Sequence, residues 1–179
     1  IPLAIELAAA RVRVLTAEQI AARLDGRFRL LTGASRTALL RHQSLQATVD
    51  WSYQLLSDAE RAFLRRLAVF AGGWDLEAAE AVGAGDGVAP SSVLDLLTAL
   101  VDKSWVIAEG QAGEERYRLL ETIRHYAGEK LRESGEGEAV RMRYRAWYRA
   151  LTERAEPELS GPRQSLWLDR IERDYDNVG

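Results

Sequence analysis

A mainly helical chain, built as a helical segment, a small winged-helix unit and a closing helix pair, follows from three observations. Apolar residues recur at helical spacing through most of the 179 residues. Strand character is confined to two short runs, Trp105-Val106-Ile107-Ala108 and Tyr117-Arg118-Leu119-Leu120, with a turn over 111–115 flanked by Gly110 and carrying Gly113. That hairpin directly follows a pair of helical patterns and precedes another helix, which is the element order of a winged helix. The expected units are a helical segment over 1–43, the winged helix over 44–134 and the start of a helical array over 135–179.

Pro2 suits a first helical turn, where its fixed φ is helical and its missing N–H has no partner in any case. Leu3, Leu7, Ala10 and Val14 continue at helical spacing, and Thr16 with Gln19 forms a capping box that opens a short helix over 17–24. Residues 25–43 read as loop-like, because Gly26 and Gly33 interrupt the pattern and Arg23, Arg27, Arg29, Arg36 and Arg41 crowd it. From Ser44 the pattern sharpens, with Leu45, Val49, Tyr53 and Leu56 on one stripe. Ser57 and Glu60 make a second capping box ahead of Phe63, Leu64, Leu67 and Phe70, and Gly72-Gly73 is expected to close that helix. Trp74 leads into a short helix over 76–82, 83–90 is expected to be a flexible loop, and Ser91 to cap a helix with Val93, Leu94, Leu97, Leu100 and Val101 apolar.

After the hairpin a helix runs from Glu121 to Arg132. Beyond Ser134, 136–156 places Tyr144, Trp147, Tyr148 and Leu151 on one face, and 164–177 places Leu168, Ile171 and Tyr175 on one face, with Pro157 and Pro162 bracketing the break. This reads as an antiparallel pair with no wall opposite its apolar face, the kind of unit that starts helical repeat arrays. An open face there would also let copies of the chain associate.

With 24 basic against 27 acidic residues and a net charge of −3, nothing pulls the chain as a whole toward nucleic acid or anionic membrane. It has no cysteine, which excludes disulfides and thiolate metal sites and fits a reducing, cytoplasmic setting. No apolar run approaches the roughly 20 residues of a membrane span. The chain opens in mid-pattern at Ile1-Pro2-Leu3 and stops directly after a helix, so it reads as a segment of a larger protein.

A search for chemistry leaves no catalytic centre, no metal site and no cofactor within the chain. There is no G-x-x-x-x-G-K-[ST] loop, no G-x-S-x-G elbow and no H-E-x-x-H. Gly83-Ala84-Gly85-Asp86-Gly87 breaks off at Val88 and follows no strand. His125 has Glu121 and Glu129 four residues to either side, a weak metal face or a salt-linked solvated one. No carboxylate sits in an apolar stretch that would raise its pKa.

The winged helix invites a reading as a DNA-binding unit, in which the second helix of the helix-turn-helix enters the major groove and needs outward donors. Here that helix, Ser91 to Ser104, offers Asp95 and Asp102 but no arginine, and the wing turn carries Glu109, Glu114 and Glu115. The basic candidates are Arg61, Arg65 and Arg66, on a helix whose basic side also reads as simply solvated. Direct DNA binding by this unit therefore stands as the second reading, and a protein contact as the first.

Several runs, taken in order, carry a family resemblance: Pro2-Leu3-Ala4-Ile5-Glu6-Leu7-Ala8-Ala9, Thr48-Val49-Asp50-Trp51-Ser52-Tyr53, Leu67-Ala68-Val69-Phe70-Ala71-Gly72-Gly73-Trp74, Leu100-Val101-Asp102-Lys103-Ser104, and Tyr117-Arg118-Leu119-Leu120-Glu121-Thr122-Ile123-Arg124. Together they resemble the C-terminal arm of bacterial STAND-type predicted ATPases, as found in LuxR-like and SARP-like (AfsR-like) transcriptional regulators. The resemblance implies an upstream nucleotide-binding domain that holds ATP or ADP, a helical domain, the winged helix, and then tetratricopeptide-like repeats. It implies that Pro2 is the proline that packs against adenine. It aligns Leu119-Leu120-Glu121 with a Met-His-Asp motif, so Glu121 keeps the carboxylate while Leu120 replaces the phosphate-contacting histidine. The implied mechanism is a switch in which the winged helix closes on an ADP-bound domain and swings away on exchange. Its partners are the protein's own nucleotide-binding domain and other copies, and DNA is reached weakly or through other domains. The hinge candidates are 25–44 and 134–138.

Overall fold

The computed structural model describes residues 37–111 and 114–178 together with Thr16 and Gln19, with side chains from residue 46 onward outside the hairpin tip. In these residues the order is α1 (Thr37–Gln54), α2 (Asp58–Leu67), α3 (Leu76–Gly83), a 3-10 turn (Pro90–Ser92), α4 (Val93–Asp102), β1 (Ile107–Gln111), β2 (Glu114–Arg118), α5 (Glu121–Ser134), α6 (Gly137–Ala155), a second 3-10 turn (Glu156–Ser160), α7 (Gln164–Arg173) and α8 (Tyr175–Val178). The fold is mainly helical with one small antiparallel hairpin, and α2 through α5 follow the winged-helix order. Thr16 and Gln19 exchange both bonds of their capping box, at 3.1 and 3.2 Å. The other patterns expected over 1–36, Pro2 among them, lie outside the described residues.

The end of the stretch expected to be loop-like, 37–43, is the first two turns of α1. Helix α2 begins at the expected capping box: the Ser57 hydroxyl accepts from the Glu60 amide, and Glu60 accepts from the Ser57 amide at 2.7 Å. It ends at Leu67 rather than at the glycines, where the ladder tightens to three-residue turns and the amides of Ala68, Val69 and Phe70 bond to the Arg65, Arg66 and Leu67 carbonyls. Gly72 and Gly73 are needed for close approach instead. A Cβ at Gly72 would stand 3.0 Å from the Asp176 side chain, and one at Gly73 would stand 3.1 Å from the Tyr117 carbonyl.

That second approach anchors the wing. Trp74 and Tyr117 exchange both backbone hydrogen bonds at 2.8 Å, so Trp74 lies beside β2 as a one-residue third strand. The hairpin pairs Ile107 with Arg118 through Gln111 with Glu114, two to three residues nearer the turn than the apolar runs suggested. The displacement has a local cause. Ser104 adopts a left-handed φ of 59°, and the amides of Ser104 and Trp105 bond back to Val101 and Leu100. This Schellman-type ending turns Trp105 and Val106 into the core before the strand begins.

The start of α4 also differs from expectation. Neither Ser91 nor Ser92 caps it with a side chain; Pro90–Ser92 forms a 3-10 turn, and the Ser92 hydroxyl bonds to the Ala89 carbonyl. The 83–90 segment is a structured turn, with Gly85 and Val88 exchanging backbone bonds at 3.0 and 2.8 Å and Val88 buried.

The wall that α6 was expected to lack is the winged helix itself. Val140, Tyr148 and Leu151 belong to the same buried cluster as Phe63, Leu67, Trp74, Val82 and Ile123. Phe70 stacks on Trp74 at 5.0 Å and meets Tyr144 and Tyr148 at 5.5 and 6.4 Å. A second aromatic group, Tyr53, Trp105 and Tyr126, ties α1 to the end of α4 and to α5, with the Tyr126 hydroxyl donating to Asp50 at 2.7 Å. In α7 and α8 the stripe is not Leu168, Ile171 and Tyr175. Leu168 and Tyr175 face outward, and the buried residues are Asp174 and Asn177. The chain breaks at Asp174 between the two helices, which rotates the inward face onto polar side chains.

Two helical glycines separate packing from propensity. A Cβ on Gly83, the last residue of α3, would fall 2.3 Å from the Phe63 ring, while one on Gly128, inside α5, meets nothing within 4 Å. Gly83→Ala is expected to destabilise by about 1–3 kcal/mol through overpacking, and Gly128→Ala to stabilise by up to about 1 kcal/mol through helix propensity. Chemical denaturation of the two variants beside the wild type checks the opposite signs.

Candidate functional site

Helix α4 is the element that a winged helix presents to a groove or a partner, and its apolar side explains how it is held. Val93, Leu97 and Leu100 point into the core. The opposite side exposes Ser91, Leu94 (52% exposed), Asp95, Thr98 and Asp102. The Thr98 hydroxyl is turned back onto the Leu94 carbonyl at 2.8 Å. Lys103, at the C-terminal end of α4, has its ammonium bound to the buried Glu60 carboxylate. Burial pushes the Glu60 carboxyl up, but the bonds from Lys103 and Ser57 outweigh it and hold the group below the usual carboxylate range. Among the described residues, the outward side chains of α4 itself are carboxylates, a hydroxyl and a leucine, and none is a lysine or arginine. On the wing, Glu109 is paired with Arg118 at 2.5 Å, and Glu115 stands exposed on β2.

The three arginines proposed from sequence as a basic helix side are not a solvated stripe. Arg61 is held at the start of α2 by Asp58 at 3.2 Å and by the Gln54 carbonyl at 3.0 Å, with its guanidinium over the Tyr53 ring. Arg65 donates to Glu136 at 2.8 Å. Arg66 is 2% exposed and is one of the largest fully buried side chains. It donates to the Gly83 carbonyl at 3.0 Å, the Asp86 carbonyl at 2.7 Å and the Glu136 carboxylate at 2.9 Å. Arg143 adds a bond to the Val82 carbonyl at 3.0 Å. Two guanidiniums thus close the C-terminal carbonyls of α3, where positive charge is favoured by the helix dipole. Glu136 is the counter-charge. Burial raises its carboxyl, but the hydrogen bonds and charges of Arg65 and Arg66 dominate and bring it down to about 2. The 134–138 segment proposed as a hinge is in this structure a fastened joint, and Gly135 makes its left-handed turn at φ 76°.

Glu121 is the first residue of α5, but it does not cap the helix; the N-cap is Leu120, without a side-chain bond. Glu121 accepts instead from Arg124 at 2.9 and 2.7 Å, and this bond lowers its carboxyl pKa. It borders a hollow of about 280 Å³ shared with Val49, His125 and Tyr126. His125 lies 3.4 Å from Glu129 on an exposed face. Among the described residues no group of three His, Asp or Glu side chains could hold a metal ion.

The structure adds a junction that the sequence reading missed. The Asn177 side chain accepts from the Ala71 and Gly72 amides at 2.9 and 3.0 Å and donates to the Gly73 carbonyl at 2.8 Å. Arg116 on β2 donates to that same carbonyl at 2.7 Å, and to Asp174 at 2.9 Å. Asp174 is 4% exposed, and burial lifts its carboxyl above the usual range despite Arg116. It is the carboxylate with a raised pKa that the sequence did not disclose.

Residues 56–132 match the family described as a winged helix-turn-helix domain. Among known proteins, the chain is 51% identical over 178 residues to a Mycobacterium tuberculosis protein provisionally named an HTH-type transcriptional regulator, a match covering 99% of this chain and 20% of that protein. A Mycobacterium bovis protein of the same description matches to the same extent. An uncharacterized M. tuberculosis protein is 53% identical over 146 residues, covering 81% of this chain and 37% of its own length. The chain thus spans about a fifth of the length of the named relatives it matches. No solved structure matches it. The match over 56–132 agrees with the winged-helix order of α2 through α5, and the chain as a whole is similar in sequence to these proteins. Among the described residues no helix is long and apolar enough to cross a membrane.

The two carboxylates predict opposite sensitivities. Glu136→Gln leaves Arg66 buried without its counter-charge and is expected to cost on the order of 2–3 kcal/mol, below the full buried-pair value because Glu136 is itself 26% exposed. Asp174→Asn is expected to change stability by less than about 1 kcal/mol, since its burial already opposes ionisation. The Glu136 pKa is depressed on folding, so its contribution is complete above the ordinary 4.5 and is lost as pH falls toward 2. Thermal unfolding of wild type and Glu136→Gln across that window should show the difference between them vanish at the acid end.

Proposed function

We propose that this chain is the winged-helix and helical arm of a transcriptional regulator, and that its winged helix contacts protein rather than DNA. The observation that carries the reading is the exposed face of α4, where the helix's own outward residues include Leu94, Asp95 and Thr98 and none of them is a lysine or arginine. Phosphate contacts by Lys and Arg supply most of the affinity of a groove-binding helix, and carboxylates at those positions repel the backbone. The named relatives connect homologous chains to transcription, and their greater length leaves room for other domains to touch DNA.

The finer reading is a switch within a STAND-type signal-transduction ATPase. An upstream domain would hold ADP or ATP, with Pro2 against the adenine and Glu121 facing the nucleotide across the interface. The arm would close in one nucleotide state and open in the other to allow copies to assemble. Two ligands biasing one two-state element is the minimal form of such coupling. The Arg66–Glu136 joint supports a rigid arm in which α6 travels with the winged helix.

Direct DNA recognition is the competing reading, favoured by the family match over 56–132. Fluorescence anisotropy of this chain with labelled duplex DNA at low salt separates the two. The protein-contact reading expects binding that, on raising the salt to physiological strength, is no tighter than the non-specific range of roughly 10⁻⁴–10⁻⁶ M, and a gain of affinity in an Asp95→Arg, Thr98→Arg variant. Tight, salt-sensitive binding by the wild type that Leu94→Glu abolishes would overturn it.

A further inference from the structure

Between α5 and α6 runs an open groove of about 850 Å³. Its rim carries Arg124 and Arg132 from α5 and Arg141, Arg145 and Arg149 from α6, with His125 beside them, and among the described residues no carboxylate side chain lines it. The glutamates that pair with these arginines, Glu121 and Glu129 on α5 and Glu138 and Glu153 on α6, are neighbours on the same helices and lie outside the lining. Arg145 and Arg149 are 70% and 81% exposed, so the helical pairs leave most of their surface to solvent. The floor is apolar, formed by Val69, Leu131 and Tyr148. Gly128 also lines the groove, and a Cβ there would meet nothing within 4 Å. A glycine inside a helix is unfavourable relative to alanine, and no internal contact in the described structure requires this one.

A basic rim, an apolar floor and a mid-helix glycine open to the groove describe a seat for an amphipathic helix, whose apolar face fills the floor and whose polar face meets the rim. We infer that this groove docks an acidic amphipathic helix of a partner protein, which crosses α5 at Gly128 where the missing side chain lets backbones approach. Nucleic acid is the weaker occupant, because a sugar-phosphate backbone gains nothing from an apolar floor and does not need the glycine. The surface is separate from the α4 face, so the two readings succeed or fail independently.

The test uses anisotropy of the 179-residue chain with a labelled peptide about five helical turns long, leucine on one face and glutamate on the other, beside a scrambled peptide of the same composition and a labelled single-stranded oligonucleotide. Arg145→Glu with Arg149→Glu reverses the rim, and Gly128→Trp fills the groove without changing charge; thermal unfolding confirms that each is folded. The proposal expects the amphipathic peptide to bind more tightly than the scrambled one, with each variant weakening it on the order of tenfold. Equal binding of the scrambled peptide, binding unmoved by Gly128→Trp, preference for the oligonucleotide, or no binding would each overturn it. Should Gly128→Trp unfold, the rim reversal and the scrambled peptide still decide.

Discussion

The buried Arg66 guanidinium is the contact around which the described structure is arranged. It starts on α2, closes the C-terminal carbonyl of α3 at Gly83, reaches the turn at Asp86 and ends on the Glu136 carboxylate at the head of α6. An isolated charge so deeply buried would be strongly unfavourable, so each of these acceptors is a requirement. Arg65 shares Glu136 and reinforces the joint. One charge thus fixes four chain segments, and it fixes α6 as part of the winged-helix body.

The aromatic contacts work in the same direction. Phe70 brings Trp74 and the tyrosines of α6 together, while Asn177 and Arg116 bind the 71–73 backbone from the C-terminal side. Because Trp74 is bridged to Tyr117, the wing, the α2–α3 turn and the last helices share a single anchor. A displacement of the C-terminal helices would be felt at β2 through Arg116.

Much of this fold was legible in the sequence. The capping box at Ser57 and Glu60, the buried face at Phe63, Leu64 and Leu67, and the hairpin after α4 followed from periodicity and local hydrogen-bonding chemistry. What stayed hidden was tertiary. Gly72-Gly73 looks like a helix end, but close approach to Asp176 and Tyr117 accounts for it. Arg66 looks like one side of a solvated helix, because its acceptors lie 17 and 70 residues away. Asp174 and Asn177 read as surface residues because their partners, the Arg116 guanidinium for Asp174 and the 71–73 backbone for Asn177, lie far off in the chain. Polar side chains that serve distant backbone groups leave no periodic trace.

The account stands most directly on α6 and the winged helix being one cooperative body. Native-state hydrogen exchange measures this. If the Arg66–Glu136 joint and the shared core bind them, the core amides of α6 around Val140 to Leu151 exchange with the same opening free energy as those of α2 and α5, and all three respond in parallel to added denaturant. Exchange of α6 at a distinctly lower free energy, while α2 and α5 remain protected, would contradict it.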